Sequence, residues 1–141
     1  MELVIDEGHV RSLLFCDKTL PSSCGSFLEA EVKRQLEAYF SHERVVFELP
    51  LKRFGTVFQT KAWQVLEMIP YGNTIGYQQQ LEAMGYRRGA QAVGQANKRN
   101  PLQIIIPCHR VICSNGALGG YEGGLDKKIG LLSHEKLRLI I

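Results

Sequence analysis

No stretch of this 141-residue chain approaches the ~20 consecutive apolar residues of a membrane-spanning helix, so a transmembrane helix is excluded. The first turn of sequence carries Glu2, Asp6 and Glu7 where a secretory signal peptide carries bases, so a cytosolic protein is expected, or a nuclear one if the source has a nucleus. Cysteine is scarce. Cys16, Cys24, Cys108 and Cys113 form no Cys-x-x-Cys pair and are too sparse for a disulfide framework, which fits a reducing compartment. His9, Cys16, Cys24 and His42 match no compact zinc-finger spacing, and no metal is expected. Internal repeats and low-complexity tracts are also missing. Acid is absent from residues 83–121, which hold Arg87, Arg88, Lys98, Arg99 and Arg110 but no Asp or Glu. The whole chain has 17 Lys+Arg against 14 Asp+Glu, so that window is basic while the remainder is slightly acidic. Such asymmetry suggests a polyanion on one side of the molecule, although a solvated basic surface would show the same count. What is present, 45% hydrophobic and 22% charged residues, describes an ordinary globular protein of one domain, or a small module attached to a principal one.

Residues 2–5 and 10–15 are apolar and flank Asp6-Glu7-Gly8, which predicts a β-hairpin. A loop is expected at 21–25. Ser26-x-x-Glu29 has capping-box spacing, and Leu28, Val32, Leu36 and Tyr39 recur at helical intervals, so a helix should run to about Ser41. A short strand over 45–49 is predicted next, with Pro50 as the boundary between a short N-terminal α/β module (1–50) and the main domain (51–141). Thr56-x-x-Gln59 is a second capping box, and Phe58, Ala62, Val65, Leu66 and Ile69 line one side of the helix that follows. Helices at about 75–84 and 89–99, separated by a short Gly-containing turn, form a helix-turn-helix candidate. The apolar run 102–106 reads as a buried strand, followed by a Gly-rich loop at 115–124 and a last helix over about 125–138. The fold class is therefore α+β, with a mainly helical principal domain.

The densest chemistry is Pro107-Cys108-His109-Arg110, at the end of the apolar run. Proline restricts the entry angle, and a thiol near an imidazole and a guanidinium can have a depressed pKa, because positive neighbours favour the thiolate. Adjacent side chains of an extended segment point apart, so a turn must bring His109 to Cys108, directly or through a water. A buried structural cysteine would look the same in isolation. The pattern around it is more telling. Gly55-Thr-Val-Phe-Gln59, Ile69-Pro-Tyr-Gly72, Tyr77-Gln-Gln79, Ala92-Val-Gly94, Asn100-Pro101, Gly120-Tyr-Glu-Gly-Gly124 and Leu131-Leu-Ser-His-Glu135 occur in that order around it. This ordered set resembles the O6-alkylguanine-DNA alkyltransferases (methylated-DNA–protein-cysteine methyltransferases) over about residues 49–136, close to two thirds of the chain.

The resemblance implies direct repair of DNA: Cys108 displaces guanine from its O6-alkyl group and keeps the alkyl as a thioether, so the protein acts once and needs no cofactor. It implies that His109 takes the thiol proton and that Glu135 holds and charge-stabilises the imidazole. It makes Tyr77 a phosphate and base-pocket contact and Tyr121 a wall of that pocket. Backbone groups around Cys108, Val111 and Glu122 would read the guanine edge, and Asn100 would tie the helix-turn-helix to the active-site turn. The second helix, with Ala90, Ala92, Gly94 and Ala96, has small side chains that allow close approach to the ~6 Å minor groove, or equally close helix packing. Use of this motif in the minor groove by the family favours the first. Gln91, Ala90, Gly94, Lys98, Arg99 and Arg110 are then the expected DNA contacts, and the lesion must leave the base stack to reach Cys108.

Two departures stand out. Many family members place an arginine before Ala-Val-Gly, to fill the space of the extruded base, whereas this chain has Gln91. Glutamine brings no charge and a poorer stacking surface, which predicts weaker duplex binding or slower flipping. The N-terminal module is short and lacks evident family zinc ligands. The expected partner is double-stranded DNA carrying O6-alkylguanine, with O4-alkylthymine as a second candidate lesion, and a monomer is expected. Competing readings are a non-catalytic lesion sensor, which would lack the reactive cysteine, a sequence-specific helix-turn-helix regulator, and a thiol hydrolase that turns over.

Overall fold

Chain reversal at Glu7-Gly8 starts the fold. Both residues have positive φ (49° and 75°), the turn that matches the right-handed twist of the strands it joins. In the computed structural model, which describes residues 1–16, 26–113 and 115–140, this turn joins β1 (Glu2–Asp6) to β2 (His9–Leu14). The strands pair antiparallel, with an irregularity between Val4 and Ile5. The loop expected at 21–25, and Cys24 with it, lie outside the described residues.

Helix α1 (Phe27–Phe40) begins where Ser26 accepts a hydrogen bond from the Glu29 N–H, and it is capped at Ser41. Val32, Gln35 and Tyr39 face inward. The strand expected at 45–49 does not form. Val45 and Val46 are exposed, and the backbone of Glu48 is taken by the Gln35 side chain, whose amide donates to Glu48 O (2.9 Å) and accepts from Glu48 N (2.9 Å). One buried glutamine thus occupies the edge that a neighbouring strand would need. Helix α2 (Val57–Glu67) carries the complete Thr56–Gln59 capping box and buries Ala62, Trp63 and Leu66.

The helix-turn-helix consists of α3 (Tyr77–Ala83) and α4 (Ala90–Lys98), with Gly85 and Gly89 at positive φ in the turn. Residues Ile75 and Gly76, expected at the start of the first helix, instead form β3, which runs parallel to β4 (Val111–Ile112). That short pairing sets Tyr77, the first residue of α3, beside the segment that follows Cys108. A reciprocal amide pair fixes the two helices: Gln80 donates to Asn97 Oδ1 (2.9 Å) and Asn97 donates to Gln80 Oε1 (2.8 Å). Gln80 also donates to Ala62 O (3.1 Å), and Trp63 Nε1 donates to Ala96 O (2.9 Å), which binds both helices to α2.

The run 102–106 is buried except for the half-buried Ile105, but it is not a strand. Leu102 makes a single parallel bridge to Leu13, with Leu13 N donating to Pro101 O (2.7 Å) and Gln103 N to Leu13 O (2.9 Å). The chain then turns back, Ile106 N donating to Leu102 O (2.8 Å), and Ile104 adopts φ 71°. A β-branched residue rarely takes that conformation, at a cost of ~1–3 kcal/mol that the buried surroundings must offset. Apolarity alone could not separate a buried turn from a buried strand. Helix α5 (Leu125–Ile140) completes the α+β architecture, and Trp63, Leu66, Leu81, Leu102, Ile106 and Leu131 belong to one core. Each such side chain contributes ~1.5–3 kcal/mol on burial.

Candidate active site

Pro107 leads into a one-turn 3-10 segment, Cys108–Arg110, buried throughout. Asn100, just after α4, holds the approach to it. Its side chain accepts from Leu102 N (2.9 Å) and donates to Ile106 O (2.8 Å), so the end of the helix-turn-helix is tied directly to the turn bearing Cys108. The turn sends His109 and Arg110 to the same carboxylate on α5. Glu135 lies 2.8 and 3.0 Å from His109 Nε2, and accepts from Arg110 Nε (2.8 Å) and Nη2 (2.6 Å). Burial alone would raise the Glu135 carboxyl, but hydrogen bonds from His109 and Arg110 outweigh it and hold it down at about 2. An ionised carboxylate only accepts, so Nε2 of His109 carries the ring proton and Nδ1 keeps its lone pair. That Nδ1 is buried with no hydrogen-bond partner among the described residues. Burial lowers the His109 pKa more than Glu135 raises it, so the ring rests neutral, as a base requires.

Two expectations from sequence need correction. Arg110, expected to contact DNA, is only 7% exposed; it is spent on Glu135 and on Ile69 O (2.8 Å), with its guanidinium over the Tyr71 ring. A buried guanidinium requires partners, and it finds them inside. The Cys108 thiol is not acidified by positive neighbours in the way its sequence context allows; burial pushes it up to about 11, against the opposing effects of Asn100 and Lys128. Thiolate formation at Cys108 therefore needs a base.

Lys128 was not singled out from the sequence. It is fully buried, and its ammonium donates to the carbonyls of Val111 (2.7 Å), Leu118 and Gly120 (3.3 Å), clamping both ends of the loop that follows Cys108. Its charge also favours the Cys108 thiolate. A signal did exist: Lys128, Leu131 and Glu135 recur at i, i+3 and i+7, which places the lysine on the buried stripe of its helix.

Tyr121 is buried; its hydroxyl has no hydrogen-bond partner among the described residues, and it is close enough to the thiol to favour its anion. Tyr77 is half-buried, and its hydroxyl lies against the loop so closely that a Cβ on Gly119 would meet it at 2.6 Å. Only glycine fits there, at φ 71°. The N–H of Val111 bonds to Cys108 O and its carbonyl is taken by Lys128, so a base edge can meet Val111 only at the carbonyl's second lone pair. Glu122 is exposed beside Tyr121. On α4, Val93, Ala96 and Asn97 are buried, while Gln91, Ala92, Gln95 and Lys98 face outward. Ala90, Gln91, Gly94, Lys98 and Tyr77 border an open cleft of about 520 Å³ that continues to Gly119 and Gly120. Arg99 is exposed just past the helix end. The small-residue helix, Lys98, Tyr77 and the glycines of the loop that follows Cys108 therefore share one cleft.

Comparison with known proteins gives this arrangement a context. Residues 57–137 match the family model described as 6-O-methylguanine DNA methyltransferase, DNA binding domain. The chain is 51% identical over 109 residues to the constitutive methylated-DNA–protein-cysteine methyltransferase of Bacillus subtilis, a match covering 77% of this chain and 66% of that protein. It is 49% identical over 141 residues to the methylated-DNA–protein-cysteine methyltransferase of Mycobacterium leprae, covering 94% of this chain and 86% of the relative. Among solved structures, Mycobacterium tuberculosis OGT in complex with DNA superposes with a TM-score of 0.88 at 38% identity, covering 96% of this chain and 86% of that one.

Proposed function

The chain belongs to the 6-O-methylguanine DNA methyltransferase family, and from that premise we propose that it repairs O6-alkylguanine in double-stranded DNA by moving the alkyl group to Cys108. The observation that carries this reading is the buried Cys108 turn, with His109 held on Glu135 and the turn tied through Asn100 to the end of the small-residue helix α4. The α4 face lies in the minor groove, and the damaged nucleotide rotates out of the stack into the site beside Tyr121. The thiol proton passes to His109 Nδ1, and the ionised Glu135 stabilises the resulting imidazolium. The sulfur attacks the alkyl carbon. The C–O6 bond breaks with its electron pair left on guanine, which takes up a proton at N1 and returns to the keto form. Cys108 remains as a thioether, which water does not readily cleave, so one molecule repairs one lesion.

No described helix is long and apolar enough to cross a membrane. A DNA substrate supports a location in the cytoplasm, on the nucleoid, or in a nucleus if the source has one. A pure lesion sensor would have no use for a thiol backed by a base and an ionised acid. The test is a repair assay with a duplex whose single O6-methylguanine blocks a restriction site. Cleavage should be restored in proportion to protein added, one for one, and not by Cys108→Ser. Catalytic turnover beyond one equivalent, or full repair by Cys108→Ser, would refute it.

A further inference from the structure

The N-terminal hairpin leads directly into Phe15, whose ring packs on Tyr121. β2 runs alongside residues 101–103, and immediately after it the N–H of Phe15 donates to the side-chain oxygen of the buried Gln103 (2.7 Å). This bond holds the Phe15 ring edge-on to Tyr121, with centroids 6.4 Å apart and planes at 64°. Between the two rings the chain passes as Gly123. A Cβ there would meet Phe15 Cδ2 at 2.9 Å, Tyr121 Cε2 at 2.9 Å and Gln103 Nε2 at 3.3 Å. Phe15, Gly123 and Tyr121 are therefore packed without slack, and the hydroxyl end of the same Tyr121 side chain lies close to the Cys108 thiol. An alkyl group in transfer to Cys108 Sγ must fit against Tyr121, and Tyr121 cannot retreat while Phe15 stands behind it.

We propose that Phe15 is a specificity-determining residue that acts through Tyr121, limiting the size of alkyl group the site accepts. The inference rests on the alkyl-transfer reading and adds to it the part of the chain that sets the pocket's depth. Small groups such as methyl fit with Tyr121 held forward; an aromatic group such as benzyl needs Tyr121 to yield. Gln103 is part of the same device, since its side chain fixes the backbone from which Phe15 projects.

The experiment measures single-turnover rates of Cys108 alkylation by duplexes containing O6-methylguanine and O6-benzylguanine, and takes the ratio of the two. A one-methylene change in an apolar pocket alters discrimination by ~10- to 200-fold, so Phe15→Ala should raise the benzyl-to-methyl ratio by about tenfold. Phe15→Leu, which keeps most of the bulk, should raise it less. A loss of active protein lowers both rates together and leaves the ratio unmoved, so a merely structural role for Phe15 does not mimic the result. Gly123→Ala supplies the converse: the added methyl should push Tyr121 toward the thiol and lower the ratio, and Phe15→Ala in the same chain should reverse that loss. A ratio unchanged or lowered in Phe15→Ala, or additive effects in the double variant, overturns the proposal. Failure of the unsubstituted chain to alkylate Cys108 with either duplex would instead refute the alkyl-transfer reading on which it rests.

Discussion

Replacing Glu135 by glutamine separates two jobs that the structure gives to one carboxylate. It holds His109 at 2.8 Å, and it neutralises the buried Arg110 at 2.6 Å. The substitution leaves the guanidinium inside without a counter-charge, with the Ile69 carbonyl, the Tyr71 ring and a neutral amide oxygen as its surroundings, and breaking a buried ion pair from one side costs ~3–5 kcal/mol. For a chain of this length that is a fall of about 10 °C or more in Tm. The alkyl-transfer rate should fall as well, since imidazolium formation loses its counter-charge, and general-base assistance is worth ~10²- to 10⁴-fold. Arg110→Met in the same chain removes the orphaned charge while keeping similar volume, so much of the stability should return. The rate should not. Urea or thermal unfolding reads the first effect, and single-turnover alkylation of a labelled O6-methylguanine duplex reads the second. If the double variant reacts at the unsubstituted rate, Glu135 is only the counter-ion of Arg110, and His109 takes the thiol proton without its help or not at all.

Lys128→Met should destabilise the chain by about 2 kcal/mol, because three carbonyls lose their donor, and hydrogen exchange at residues 117–120 should accelerate. It should also slow alkylation, since the thiol loses a charge that favours its anion. Gln91→Arg, on the exposed face of α4, should tighten duplex binding and increase its salt dependence by about one phosphate contact, read by titration at several salt concentrations. Glu135 is held at about 2, below its ordinary 4.5, so its stabilisation is complete above pH 4.5 and is lost as pH falls from there toward 2, which acid unfolding will show. His109 is held below 6.5, so the rate of alkylation should be flat from about pH 7 downward until that lowered pKa is reached, then fall in acid.

Local chemistry was legible in the sequence, and long-range pairing was not. The hairpin at Asp6-Glu7-Gly8, the Thr56–Gln59 capping box and the two helices of the helix-turn-helix follow from residues a few positions apart. The strands expected at 45–49 and 102–106 failed for one reason. Apolar runs read alike whether their backbone is satisfied by a strand, by the Gln35 side chain, or by a turn that Asn100 holds. β3 and β4 are two residues each and pair across 36 positions of sequence, from Ile75 to Val111, leaving no periodic signal. The direction of Arg110 was equally hidden: a basic count cannot say whether a guanidinium meets solvent or a carboxylate 25 residues away. For Lys128 the helical spacing gave the inward direction but not the carbonyls it binds, and the partners of Gln80 likewise lie on other elements.

The most direct test is the intact mass of the protein after reaction with an excess of O6-methylguanine duplex, followed by peptide mapping. The result expected is one methyl group per chain, on Cys108 alone, with Cys16, Cys24 and Cys113 unmodified and no adduct in Cys108→Ala. An unchanged mass despite lesion binding, or a methyl group on another residue, would contradict alkyl transfer to Cys108.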